Sequence, residues 1–273
     1  MTGKVIFEKL FETFGFVNET LEELIEKYGE IKVIKYQKRT MEFKLHDFYH
    51  FCLVKACKSL NAAETLISNY IQEDSQTVLR TAYECYLNAS FARCNPNSLN
   101  ELMDFKVSLY TGILTHPISK KGHVQRNQIL NPKTGEIAPF GISIYHMASN
   151  GPCKEDAELY DSLYKHLSEH VHVHFITSGN YRNMEDLKYT MFKGELLLQP
   201  LYQGVLIGLM FLADYLLFNT KIENGILTKS KEVCQMGVDI MLETSDFFED
   251  ETDVIRDSIE RLKAIGKAIH TSN

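Results

Sequence analysis

Apolar positions recur at helical spacing along most of the chain. From Leu45 to about Tyr70 they fall at Phe48, Phe51, Cys52, Ala56, Leu60, Ala63 and Ile67, the pattern of a helix with one packed face. A second stretch runs from about Ser75 to Cys94. Asn95-Pro96-Asn97 stops it, because the residue before a proline is pushed out of helical geometry. Leu102, Phe105, Leu109 and Ile113 mark a third helix, with Ser98 or Asn100 as its cap. Nearer the N-terminus, Asn18 followed by Leu21, Glu22, Leu24, Ile25 and Tyr28 reads as a capped amphipathic helix. Leu159, Leu163, Tyr164, Leu167, Val171 and Phe175 form one stripe over about residues 154–175. Ile255, Ile259, Leu262, Ile265 and Ile269 form another, after an acidic turn (Glu249, Asp250, Glu251, Asp253) that suits a helix dipole.

Two stretches depart from this pattern. From Leu196 to Phe218 the strongly polar residues are Gln199, Gln203 and Asp214, with Pro200 near the first turn. A helix apolar all round either crosses a bilayer or fills the middle of a bundle. Asp214, two glycines and the lack of a flanking Lys/Arg cluster favour the second. Between Thr115 and Pro152 lie Pro117, Pro132, Pro139 and Pro152 with Gly122, Gly135, Gly141 and Gly151, so no long helix fits there. Its segment IAPFGISIYHM is suited to one or two short strands. The pattern as a whole predicts an all-α fold: a single helical domain over residues 1–273, a multi-helix bundle with an irregular insertion at about 115–152 that holds a short β-hairpin.

Charge narrows the partners. The chain has 273 residues and a formal net charge of -7, which disfavours a protein that coats nucleic acid with its whole surface. A local cationic site is compatible with that charge. The insertion carries Lys120, Lys121, Arg126 and Lys133 against Glu136, so Lys120, Lys121 and Arg126 are candidate substrate contacts. Six cysteines without a CxxC pair exclude zinc-ribbon and thioredoxin chemistry and fit free thiols in a reducing cytoplasm. The N-terminal residues have acids inside their apolar stretch and no small-residue cleavage site, which predicts a cytoplasmic chain with no membrane attachment. No phosphate-binding GxxxxGK[ST] loop, GxGxxG turn or GxSxG elbow is present.

Two features carry candidate chemistry. In VLRTAYECYLNASFA, Arg80, Glu84, Leu87 and Phe91 share one helix face, and the rest of that helix is mostly apolar. An ion pair in such a place is either an ordinary i,i+4 pair or a semi-buried pair with a task beyond stability. In YKHLSEHVHVHF, residues 164–175, Ser168 and His172 border the packed stripe of Leu163, Leu167 and Val171. His166, His170 and His174 line its other side at a spacing able to hold zinc, yet no glutamate completes an HExxH set. With Arg80 and Glu84 on a facing helix, Ser168 and His172 would complete a polar site or a purely structural network.

An Arg-x-x-x-Glu helix (Arg80, Glu84) and a Ser-x-x-x-His helix (Ser168, His172) preceded by Tyr164 resemble the HEPN superfamily, named for higher eukaryotes and prokaryotes nucleotide-binding. The resemblance covers roughly residues 45–220. It implies a helical, metal-independent endoribonuclease of a defence or toxin type, needing no cofactor and forming a homodimer. His172 or His170 would move protons, and Arg80 or Lys165 would stabilise charge on the phosphate. The family motif is Arg, a polar residue, three to five others and His; here Lys165-His166 to His170 has that spacing with lysine in the arginine position. The alternative is a non-catalytic binding or regulatory module that takes a nucleotide, peptide or partner subunit in the Arg80/His172 groove. A metal-dependent hydrolase using His166, His170 and His174 is a third class.

Overall fold

The computed structural model describes residues 2–30, 45–140, 142–171, 181–183, 187–189, 198–248 and 252–271. Its centre is the apolar stretch. Helix α8 (Leu198–Phe218) is buried at every position from Pro200 to Leu216, which is where a helix with no polar face has to lie outside a membrane. Around it pack α1 (Gly3–Tyr28), α2 (Leu45–Ser68), α3 (Gln72–Cys94), α9 (Asn224–Thr244) and α10 (Thr252–Thr271). Two glycines let α1 approach closely: a Cβ at Gly208 would lie 2.6 Å from Val17 Cγ1, and one at Gly204 2.8 Å from the Phe14 ring. The expected all-α bundle is present.

Asp214 sits in this apolar helix because it is fully paired. Arg93 grips it through both Nη2 (2.7 Å) and Nε (3.3 Å), while the Tyr49 hydroxyl (2.7 Å) and Ser90 Oγ (3.0 Å) donate to it. A second network clamps α10 to the middle of the bundle. Arg261 Nε donates to Asp156 Oδ1 at 2.7 Å and its Nη2 to the Tyr86 hydroxyl at 2.6 Å; that hydroxyl donates to Asp156 Oδ2 at 2.8 Å. Asp156 and Arg261 are 1% and 3% exposed, so this triad is sealed. Burial works against the charge of both groups: Asp156 and Tyr86 outweigh it at Arg261, whereas it holds the Asp156 carboxyl above its ordinary value despite Arg261.

The short connection after α2 turns the chain back, so α2 and α3 lie against each other along their length. α4 (Pro96–Tyr110) begins with Pro96 at its first position rather than at the expected Ser98 or Asn100, and it ends before Ile113, which is exposed. The insertion then forms an antiparallel hairpin of β1 (Gln128–Leu130) and β2 (Ile137–Pro139). Only the first part of IAPFGISIYHM is strand. Its last four residues open helix α5 (Ile144–Ser149), which Ser143 Oγ caps by accepting from the His146 backbone N–H at 3.1 Å. The next helix is one run with a wide turn inside it: α6 (Glu155–Leu159), a π-helical turn at Tyr160–Tyr164, then α7 (Lys165–Val171). Short strands β3 (Arg182–Asn183) and β4 (Lys188–Tyr189) pair beyond it.

Three further sequence expectations need correction. Phe51, placed on the packed face of α2, is 61% exposed. Asn18 does not cap a helix: α1 starts at Gly3, and Asn18 is buried mid-helix, where its Nδ2 donates to Glu64 Oε2 at 3.0 Å. Val171 does not continue the buried stripe. It is 37% exposed, whereas Leu159, Leu163 and Leu167 are fully buried. Helix α9 had no counterpart among the sequence expectations: its buried stripe (Ile226, Ser230, Cys234, Gly237, Val238, Met241) mixes small and polar residues with the apolar ones. Of the acidic turn before α10, Asp253 is in the first helical turn, and residues 249–251 lie outside the described residues.

Candidate site on the α3–α7 face

α3 presents Arg80 and Glu84 to the end of the π-helical turn. Arg80 Nε donates to Glu84 Oε1 at 3.2 Å, as the i,i+4 spacing allows. Tyr164 reaches across and completes a triad: its hydroxyl donates to Glu84 Oε1 at 2.8 Å and accepts from Arg80 Nη2 at 2.9 Å. The guanidinium also lies 5.0 Å from the Tyr164 ring centroid, within cation–π range. The Arg80 and Glu84 side chains keep 23% and 34% of their surface exposed, so this cluster opens to solvent. Partial burial opposes the charge on Arg80, but Tyr164 and Glu84 outweigh it and raise its pKa above the ordinary value. The Tyr164 phenol is held up by burial and by Glu84, against the pull of Arg80.

One turn along α3 toward its N-terminus, Thr77 Oγ1 donates to the His170 carbonyl at 3.4 Å. The two helices therefore run antiparallel, and Ser168 lies between those two levels. Its hydroxyl donates to the Tyr164 carbonyl of its own helix at 2.6 Å, so it is bonded backward and not into the triad. His166 and His170 sit one turn apart with ring centroids at 5.1 Å. Burial, with His166 adding to it, lowers the His170 pKa to about 4, and burial also lowers that of His166. Both rings are neutral near pH 7. His166 Nε2 is buried without a hydrogen-bond partner among the described residues.

The sequence-selected residues divide accordingly. Arg80 and Glu84 are together, and Ser168 and His170 are on the helix that faces them. Lys165, next to Tyr164 in the chain, is exposed and paired with Asp161 at 2.7 Å, so it lies beside the triad and is not bonded into it. Lys120 and Lys121 are at an exposed turn beside Gly122, and Arg126 is exposed shortly after it. Their hairpin packs mainly on itself, and nothing places them against the α3–α7 face. His172 and His174 lie outside the described residues. Among the described residues no group of three or more His, Cys, Asp or Glu is placed to hold a metal. Tyr164 is the participant that spacing missed, since a tyrosine on an apolar stripe reads as core. The buried Cys85 and half-buried Cys153 are poor nucleophiles, because burial pushes both thiols up to about 11.

Fold and site together define an all-α bundle with a half-open arginine–carboxylate–tyrosine cluster on the face between its third and seventh helices. The chain belongs to a family of unknown function, DUF5677, whose model matches residues 46–189, just over half of its length. That span contains α3, the π-helical turn and α7, and so the whole triad. No curated protein and no solved structure shows significant similarity to the chain.

Proposed function

We propose that the α3–α7 face acts on RNA, as a metal-independent, HEPN-like endoribonuclease working in the cytoplasm as a homo-oligomer. The observation that carries this reading is the half-open triad. Arg80 is fixed by Glu84 and Tyr164, yet its Nη1 has no partner among the described residues and stays available to a phosphate oxygen. A histidine of the 166–174 run removes the ribose 2′-hydroxyl proton, and the 2′-oxygen attacks phosphorus. The 5′-oxygen leaves with a proton from a second histidine, which gives a 2′,3′-cyclic phosphate and a free 5′-hydroxyl. His170 and His172 are the candidates for base and acid; burial keeps His170 neutral at pH 7 with a pKa of about 4, so as a base it needs the charge of the bound phosphate to raise that value. Arg80 steadies the charge on phosphorus oxygens as it builds.

The test is RNA incubated with purified protein in EDTA, followed by analysis of the product ends. Cyclic-phosphate ends made by the wild type, and lost in Arg80→Ala and His172→Ala, are expected. Intact RNA with wild-type protein across a panel of sequences would remove the catalytic reading. One observation favours the binding-module alternative: Glu84 balances Arg80 and Asp161 balances Lys165, so the face carries little net positive charge. Nucleotide-dependent thermal stabilisation without turnover would support it.

A further inference from the structure

The tyrosines of this face form a continuous run that ends at the surface. Tyr164, beneath the Arg80 guanidinium, stacks on Tyr160 with ring centroids at 4.7 Å and planes within 17°. Tyr160 meets Tyr145 of α5 at 5.4 Å, edge to face. Tyr145 is 52% exposed, and its mount is firm. Ser143 caps its helix, the neighbouring Met147 and Ala148 are buried, and His146 leans on Phe91 at 5.8 Å. Lys165 is close enough to Tyr145 and Tyr160 to interact electrostatically with both. Its partner Asp161 is also exposed, so exchanging that partner for a phosphate costs little. A guanidinium, a lysine and a half-exposed ring in series are the elements that hold an unpaired strand: cations on the backbone, an aromatic face for a base.

We propose that Tyr145 is a base-stacking platform for single-stranded RNA, with the flanking phosphates taken by Arg80 and Lys165. This rests on the reading of the α3–α7 face as an RNA site and names its substrate class. A duplex offers no free base face, so paired RNA is excluded at this point.

Binding of fluorescein-labelled 2′-O-methyl oligonucleotides, followed by anisotropy, tests the platform apart from turnover, because the blocked 2′-oxygen cannot attack. The probes are a single strand, its duplex and an abasic version of the strand. The single strand is expected to bind tightest. Tyr145→Ala weakens it roughly tenfold, Tyr145→Trp preserves it, and binding of the abasic strand is insensitive to Tyr145→Ala. Equal affinities of wild type and Tyr145→Ala for the single strand, or a duplex bound as tightly as the strand, would overturn the platform. Normal RNA cleavage alongside that result would leave the nuclease reading standing. A Tyr145-dependent preference for bases in a protein that leaves RNA uncut would support the platform and remove the nuclease.

Discussion

Tyr86 and Tyr164 do the same thing at two depths. Each hydroxyl donates to a carboxylate and accepts from an arginine that is itself bonded to that carboxylate. Around Tyr86 the arrangement is closed: Asp156 and Arg261 are almost fully buried, and the three groups consume one another's capacity. Around Tyr164 it is open, with roughly a quarter to a third of the Arg80 and Glu84 side chains in water. A sealed network fixes how helices dock, since Arg261 of α10 is buried with its donors on Asp156 and Tyr86. An open one pre-orients a guanidinium without using up all its donors. The same three chemical groups serve as a clamp in one place and as a waiting ligand site in the other.

The largest effect that separates the two comes from Arg261→Met. It strands Asp156 in the core, and it should lower unfolding stability by about 3–5 kcal/mol in urea denaturation. A loss under 1 kcal/mol would mean the sealed triad is no clamp. The tyrosine pair sharpens the contrast. Tyr86→Phe leaves two buried charged groups short of a partner and should cost about 1–3 kcal/mol, while Tyr164→Phe, which water can replace, should cost under about 1 kcal/mol. Similar losses from both would erase the distinction of depth.

A third prediction concerns acid. The His170 pKa in the folded chain, about 4, lies below the ordinary 6.5, so as pH falls the unfolded chain takes its proton first. The stability that His170 contributes is present above pH 6.5 and lost between 6.5 and 4. For a ring that keeps part of its hydration, this is a loss of about 1 kcal/mol, which His170→Gln should remove from the pH profile of stability. An unchanged profile in His170→Gln would place the ring in water.

Much of this was legible in the sequence, and the failures have physical causes. The stripe of α2, apart from the exposed Phe51, and the all-round apolar α8 were readable because periodicity follows burial, and α3 was readable from the punctuation at its ends. Arg80 and Glu84 stood out as charges in the mostly apolar middle of their helix, between its acidic first turn and Arg93 near its end. Arg261 and Asp156 did not, because each lies on a helix rich in other charges and they pair across 105 positions. Asn18 has the residue type of a cap, and only the fold supplies Glu64 as its partner. Val171 is one turn beyond the buried Leu167 but is the last residue of α7 and is exposed, and the ring of Tyr164 packs while its hydroxyl reaches Arg80 and Glu84, a division that a wheel does not show. The hairpin was anticipated from proline and glycine, but the last four residues of the expected strand segment open α5, behind the Ser143 cap.

The central claim is that the open triad is spent on a ligand rather than on the fold, and Arg80→Ala addresses it most directly when stability and affinity for 2′-O-methyl RNA are measured on the same preparation. The account predicts a change in unfolding free energy of less than about 1 kcal/mol together with binding weakened about ten- to a hundredfold. Unchanged affinity in a variant that has lost several kcal/mol of stability, about as much as a buried clamp would cost, would make the triad a third structural clamp and contradict the account.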